Sequence, residues 1–181
     1  MARQVSKVPY GYVPDDERKG KRGSVWVYDS FERFDERQLA ALVSMAEDKT
    51  MAKLVFYPLH EETLRRMGER EAAPYYQRME DLELKLEQLD SGLDITVERF
   101  EGKRKKYTPM DTAFRYLADK YAAPHFVWVT LEMANKLAAF DSFEAWIKKV
   151  RLWIDMPPGG VKPSELHPRL QTADSRWDAV E

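Results

Sequence analysis

The sequence predicts an α/β protein built on a Rossmann-like, doubly wound parallel sheet of five strands with helices on both faces. Two observations carry this prediction: short segments of β-branched and aromatic residues, and amphipathic helical segments that alternate with them along the chain. Helices of this length between strands imply parallel crossovers, and right-handed crossovers cover both faces of the sheet. In such a sheet, ligands bind in a crevice outside the carboxyl ends of the strands.

Five segments are expected to be strands because β-branched, aliphatic and aromatic residues dominate them. They are Ser24–Tyr28, Ala52–Tyr57, Asp94–Phe100, His125–Val129 and Leu152–Ile154. Four segments are expected to be helices because their apolar residues recur at intervals of three and four residues. They are Glu36–Glu47, Tyr76–Leu89, Met110–Tyr121 and Phe143–Val150.

The chain of 181 residues is long enough for one domain with a full hydrophobic core. We expect that domain to span residues 24–158, since the predicted strands and helices end at the Pro-Pro-Gly-Gly sequence of residues 157–160. Residues 1–23 are polar and charge-dense and are expected to form an N-terminal arm or tail. Residues 159–181 are expected to form a C-terminal tail.

Charge and composition exclude several classes of protein. The 29 Lys and Arg residues nearly balance the 31 Asp and Glu residues, for a net charge of −2, which argues against nucleic-acid binding. The absence of cysteine excludes disulfides, thiolate catalysis and Cys-based zinc sites. No apolar run approaches the ~20 residues of a membrane span, and the N-terminus lacks the apolar stretch of a signal peptide. We therefore expect a cytoplasmic protein with no membrane association.

Four segments follow one another in an order that is typical of a known family. DSFERFDERQ follows the first predicted strand, PYYQRMEDLELKL covers the second predicted helix, and KYTPMDTA begins the third. The last segment, FVWVTLEMANKLAAFDSFEAWIKKVRLWI, completes the order. From about Val25 to Pro158 the chain therefore resembles the nicotinate mononucleotide adenylyltransferases, within the nucleotidylyltransferase superfamily.

The resemblance implies a nucleotide or a nicotinate-type small molecule as the ligand, together with a set of binding positions. The loop after the first strand retains a Ser-Phe pair, the third helix begins in a Tyr-Thr-x-x-Asp-Thr pattern, and the fourth strand is followed by an acidic residue. The implied ligand-binding residues are Ser30, Phe31, Tyr107, Thr108, Asp111, Thr130 and Glu132.

The catalytic motif of the family is replaced in this chain. Where the family has H-x-G-H, whose histidines donate hydrogen bonds to the triphosphate, the sequence contains Asp35-Glu36-Arg37-Gln38. Two unit charges about 4 Å apart at an effective dielectric constant of about 20 interact with ~4 kcal/mol, which between a carboxylate and a phosphate is repulsive. The family's C-terminal I-S-S-T-x-x-R segment is matched only weakly, by residues 164–169. We therefore assign no catalytic residue and treat Asp35 and Gln38 as degenerate positions.

A structural role accounts for the same four residues. Asp35 is a favourable N-cap, and Gln38 three residues later has the spacing of a capping box. Glu36 lies in the first helical turn, where the helix dipole favours a negative charge. We expect these residues to stabilise the start of the first helix, which has no phosphate to bind.

Two functions follow from the resemblance and its departures. The first is a degenerate, non-catalytic nucleotidylyltransferase-like protein that serves as a nucleotide-binding or interaction module. The partner of such a module could be another protein or a second copy of the chain. The alternative is a divergent nucleotidyltransferase, which would use ATP and a Mg²⁺ ion held by Glu32, Asp35 and Glu132, since oxygen ligands suit Mg²⁺. The three histidines share no metal-ligand spacing, so no metal site is assigned outside this alternative.

Overall fold

The computed structural model describes residues 20–181, so residues 1–19 of the expected N-terminal arm lie outside the described part of the chain. Six strands form one sheet in which all neighbours are parallel. They are β1 (Ser24–Asp29), β2 (Lys53–Pro58), β3 (Asp94–Val97), β4 (His125–Thr130), β5 (Arg151–Asp155) and β6 (Trp177–Val180). Their order across the sheet is β3-β2-β1-β4-β5-β6, which is that of the Rossmann fold.

Helices connect the strands and cover the sheet. They are α1 (Glu36–Asp48), α2 (Glu61–Arg66), α3 (Tyr75–Glu87), α4 (Phe100–Arg104), α5 (Met110–Lys120), α6 (Leu131–Ala138), α7 (Phe143–Ile147) and α8 (Pro168–Thr172). Two short 3₁₀ turns follow β5, at Pro163–Glu165 and Asp174–Arg176. Between residues 20 and 181, no helix has both the length and the apolar character needed to cross a membrane.

The hydrophobic core is divided between the two faces of the sheet. Along β1, Val25 and Val27 pack in the cluster that includes the buried face of α1. The alternate residues, Trp26 and Tyr28, point the other way and contact the ring of Phe114 on α5 at centroid distances of 5.6 and 5.3 Å. Because both faces are covered by helices, the expected doubly wound parallel sheet is confirmed, with boundaries that differ by a few residues.

The sheet has six strands where the sequence predicts five. β6 comes from the segment expected to be a C-terminal tail, and it pairs with β5 from Leu152 opposite Trp177 to Asp155 opposite Val180. Arg151 fixes this pairing through two hydrogen bonds to the Asp178 carboxylate, at 2.7 and 2.8 Å. Two of its four residues, Asp178 and Ala179, are of types depleted in strands, which is why the sequence does not predict it.

Besides α8, which lies in the segment expected to be a C-terminal tail, three short helices differ from the prediction. Residues 98–100 are expected to extend β3, but the strand ends at Val97 and Phe100 begins α4, where its ring stacks on Tyr116 at 3.9 Å. The helices α2 and α6 are not predicted, because each follows its strand within a few residues and offers few turns in which a period could be recognised. These helices all lie at the carboxyl ends of strands, where the fold places its ligand crevice.

The direction of the strand order reverses between β1 and β4, which are neighbours in the sheet although they are separate in sequence. At such a reversal the loops that follow the two strands turn to opposite faces and leave a crevice between them. The loop after β1 and the start of α6 after β4 border this crevice.

Candidate functional site at the strand-order reversal

A cavity of about 210 Å³ opens at the carboxyl ends of β1 and β4, where the strand order reverses, and is called the switch-point cavity below. One water molecule needs roughly 10–15 Å³ of volume by the same measure, so the cavity has room for a small organic molecule. Its walls come from the loop after β1, the start of α1, the loop after α2 and the first turns of α6. The lining residues are Asp29, Ser30, Glu32, Arg33, Gln38, Glu69, Thr130, Glu132, Met133 and Lys136. Four carboxylates therefore face two cationic side chains.

Asp29, the last residue of β1, is the most deeply buried carboxylate of the lining, with 7% of its surface exposed. Its Oδ2 accepts a hydrogen bond of 3.0 Å from the backbone N–H of Phe31, which holds Phe31 in a left-handed conformation with φ of 63°. Burial raises the pKa of Asp29 to about 6, although hydrogen bonds from the N–H groups of Phe31 and Ser30 lower it. Smaller effects on the same pKa come from the negative charge of Glu69, which raises it, and from the positive charge of Arg78, which lowers it. A carboxyl with this pKa can change its charge near neutral pH.

Arg78 holds together the loops that form this side of the cavity. Its side chain is 2% exposed, and its guanidinium donates hydrogen bonds of 2.7 Å to the carbonyl oxygens of Ser30, Leu59 and Ala73. These carbonyls belong to the loop after β1, the loop after β2 and the segment before α3. A single planar donor group with a fixed geometry thus fixes three chain segments relative to one another.

The start of α1 has the capping box that the sequence predicts. Asp35 Oδ1 accepts the backbone N–H of Gln38 at 2.8 Å, and Gln38 Oε1 accepts the backbone N–H of Asp35 at 3.0 Å. The structural role expected for Asp35 and Gln38 is therefore confirmed. The Asp35 carboxylate takes up an N–H group that would otherwise be available to a phosphate.

A second carboxylate, that of Asp155 at the end of β5, also binds residues at the start of α1. Its Oδ2 accepts hydrogen bonds from Gln38 Nε2 at 3.0 Å and from Arg37 Nη2 at 3.3 Å. Asp155 is 6% exposed, and its Oδ1 has no hydrogen-bond partner within residues 20–181. Asp155 pairs with Thr130 in the sheet, so it lies beside the switch-point cavity. The sequence gives no signal for this contact, which joins residues separated by 117 positions.

Five of the residues singled out from the sequence line the cavity: Ser30, Glu32, Gln38, Thr130 and Glu132. Thr130 is also the N-cap of α6, since its hydroxyl oxygen accepts the backbone N–H of Met133 at 3.1 Å. Ser30 Oγ accepts the N–H of Glu32 at 3.1 Å. The side chain of Glu132 is 70% exposed and lies at the rim, 4.0 Å from Lys136.

The remaining predicted binding residues lie elsewhere. Phe31 is buried in the core beneath α1, where its ring contacts Phe34 and Phe56. The backbone N–H of Thr108 donates to Thr63 Oγ1, and the ring of Tyr107 lies 4.1 Å from the Arg66 guanidinium. Finally, Asp111 Oδ1 accepts a hydrogen bond of 2.8 Å from Trp146 Nε1. The switch-point cavity does not include these side chains.

The three carboxylates considered as Mg²⁺ ligands contact three different parts of the structure. Glu32 accepts the backbone N–H of Ala73 at 3.2 Å, Asp35 caps α1, and Glu132 lies at the cavity rim near Lys136. Within residues 20–181, no group of three or more His, Cys, Asp or Glu side chains is arranged to hold a metal ion. The carboxylate-metal alternative therefore lacks its ligand set in the described chain.

Another buried carboxylate, Glu101 on α4, lies near the ends of β2 and β3 and is not found by sequence reasoning. It is fully buried and accepts hydrogen bonds from Tyr57 Oη at 2.8 Å and from the backbone N–H of His60 at 2.9 Å. Burial raises its pKa to about 7 against the lowering effect of these donors. The sequence does not indicate a role for Glu101, because the residue follows directly on Asp94–Phe100, which is expected to be a strand, and α4 is not predicted.

Comparison with known proteins does not identify a family. No protein-family model matches the sequence, and no curated protein is significantly similar to it. The resemblance to the nicotinate mononucleotide adenylyltransferases thus depends on motif order alone and stays a prediction.

Proposed function

We propose that the protein is a non-catalytic ligand-binding module on a nucleotidylyltransferase-like scaffold and that it does not transfer adenylyl groups. One observation carries the proposal: two of the chain's own carboxylates, Asp35 and Asp155, accept one backbone N–H group and two side-chain donors at the start of α1. Adenylyl transfer depends on donors and positive charge aimed at the phosphates, because charge grows there in the transition state.

Asp35 and Asp155 lie at the position where related folds bind a phosphate. In doubly wound proteins that bind nucleotides, the first helix after β1 directs its N-terminal N–H groups and its positive dipole end at a phosphate. Here Asp35 accepts the N–H of Gln38, while Asp155 accepts from the side chains of Gln38 and Arg37. The helix start therefore already has its anionic partners within the chain. A triphosphate would have to displace them and overcome the repulsion of about 4 kcal/mol per close charge pair.

The charges around the cavity support the same proposal. Asp29, Glu32, Glu69 and Glu132 line it with only Arg33 and Lys136 as cations. Lys136 lies within 3.8 Å of Glu69 and 4.0 Å of Glu132, so its charge is shared between two carboxylates. This lining disfavours a polyanion and favours a neutral or cationic molecule. Binding without group transfer is the function that such a site supports best.

An assay of pyrophosphate release tests the proposal. We expect the full-length protein, incubated with ATP, Mg²⁺ and nicotinate mononucleotide, to release no more pyrophosphate than a blank without protein. An active nicotinate mononucleotide adenylyltransferase in the same buffer serves as the positive control. Turnover that scales with protein concentration and disappears when nicotinate mononucleotide is omitted would overturn the proposal.

A further inference from the structure

We infer that the switch-point cavity binds a small organic cation, with a primary ammonium group on the Asp29 carboxylate and a short alkyl chain against Met133. This inference rests on the proposed function, because it names the class of ligand that the module takes.

The carboxylate of Asp29 faces the cavity without a side-chain donor from residues 20–181. The residue lines the cavity although only 7% of its surface is exposed. Its Oδ2 accepts the backbone N–H of Phe31 at 3.0 Å, and the backbone N–H of Ser30 also lowers its pKa. Both donors are neutral, and a charged donor stabilises a buried carboxylate more strongly.

No cation of the described chain is paired with Asp29. Lys136 lies near Glu69 and Glu132, and Arg33 is exposed at the rim. Behind Asp29, the guanidinium of Arg78 is directed at three carbonyl oxygens and at Glu61, 3.5 Å away. The other charged groups facing the cavity, Glu32, Glu69 and Glu132, are negative. Four carboxylates and two cations line the cavity, so a ligand cation would offset part of its excess negative charge.

The remaining lining residues favour an organic ammonium over a metal ion. The hydroxyl oxygens of Ser30 and Thr130 each accept one backbone N–H and have a second lone pair, so they can also accept from an ammonium group. Met133 adds an apolar surface suited to an alkyl chain. A divalent metal would need several converging oxygen ligands, and the described residues contain no such group.

Binding should depend on pH. The cation binds the ionised form of Asp29, and the pKa of Asp29 is raised to about 6, mainly by burial. Near pH 5 only about a tenth of such a carboxyl is ionised, so the affinity should be about tenfold lower than near pH 7.5. Two neighbouring charges act on the pKa of Asp29 in opposite directions, because Glu69 raises it and Arg78 lowers it.

The test is a titration of the ¹⁵N-labelled full-length chain with n-butylammonium chloride, followed by amide chemical shifts. We expect saturable shifts at Asp29, Ser30 and Met133, with about tenfold weaker affinity near pH 5 than near pH 7.5. Butan-1-ol and butyrate, which have the same carbon chain without the positive charge, should give no saturable shifts there. Asp29→Asn should reduce the affinity at least tenfold, because it removes the charge and keeps the acceptor for Phe31.

Asp48→Asn is the matched control. Asp48 is the last residue of α1 and lies exposed at the opposite end of that helix, about 20 Å from its start. This variant should bind n-butylammonium as the wild type does. If Asp29→Asn does not fold, Glu69→Gln replaces it, with an expected loss of about threefold because Glu69 is a rim carboxylate.

Several outcomes would overturn the inference. They are an absence of saturable shifts with n-butylammonium, an equal response to butan-1-ol, and unchanged affinity in Asp29→Asn or, where that variant does not fold, in Glu69→Gln. None of them bears on adenylyl transfer, which the pyrophosphate assay measures separately. A protein that released pyrophosphate would contradict the proposed function even if it bound the cation.

Discussion

Replacing Arg78 with methionine should destabilise the protein by about 3–5 kcal/mol, the usual cost of removing one partner from a buried charged network. The side chain is 2% exposed, and its guanidinium donates three hydrogen bonds of 2.7 Å to the carbonyls of Ser30, Leu59 and Ala73. Methionine fills much of the same volume but donates nothing. Three carbonyl oxygens would lose their donor, and an unsatisfied buried polar group costs about 1–3 kcal/mol.

Urea unfolding followed by circular dichroism measures this loss as a shift of the midpoint at constant slope. Arg115→Met is the matched control, since Arg115 is 68% exposed and, among residues 20–181, forms an ion pair only with Asp111 on the same helix. Exposed pairs of this kind contribute about 1 kcal/mol or less, so the control should lie close to the wild type. An Arg78→Met variant as stable as Arg115→Met would show that Arg78 does not hold the three loops together.

Glu101 should make the stability of the protein depend on pH in the direction opposite to ordinary acid denaturation. Burial raises its pKa from 4.5 to about 7, so the folded state binds the proton more tightly than the unfolded state. The resulting stabilisation is fully present below about pH 4.5 and is lost as the pH rises through about 7. At 1.36 kcal/mol per pKa unit, the loss amounts to about 3 kcal/mol.

The effect is isolated by comparing wild type with Glu101→Gln, which cannot ionise. We expect the free energy of unfolding of the wild type, relative to this variant, to fall by about 3 kcal/mol between about pH 4.5 and pH 8. Glu47→Gln, at an exposed position near the end of α1, controls for the removal of one negative charge and should follow the wild type. Parallel stability curves for wild type and Glu101→Gln would mean that the folded state does not shift the titration of this carboxyl.

The features that follow from local sequence were predicted well. Alternation and helical periodicity identified β1, α1 and α5, and the spacing of Asp35 and Gln38 identified the capping box before α1. A capping box involves residues three positions apart, and its stabilisation depends on local geometry that the sequence encodes directly. The parallel sheet followed because helical connections between strands leave few other topologies.

The parts of the site that depend on distant contacts were not predicted. Asp155 approaches the start of α1 only because β5 lies beside β4, and Asp29 lines the cavity because the strand order reverses there. Neither fact leaves a periodic signal in the sequence. Conversely, Thr108 lies in the motif segment KYTPMDTA, but in the structure its N–H donates to Thr63 Oγ1, and it lies apart from the cavity. Similarity in a short motif does not determine what its side chains touch.

The central claim is that two internal carboxylates, those of Asp35 and Asp155, take the place of a bound phosphate at the start of α1. The variant Asp35→Ser/Asp155→Asn removes both charges while keeping the fold of the loop. Serine remains a favourable N-cap, and asparagine can still accept from Gln38. Near the positive end of α1, the loss of two negative charges should strengthen binding of a triphosphate by a hundredfold or more, at ~4 kcal/mol per close pair.

Calorimetric titration of wild type and of this double variant with ATP and Mg²⁺ tests that claim most directly. The account predicts no detectable binding to the wild type and saturable binding to Asp35→Ser/Asp155→Asn, with no change in Asp48→Asn. Binding of ATP to the wild type as tight as to the double variant would contradict it. So would an absence of binding in both, since the helix start would then be closed to phosphate for a reason other than these two charges.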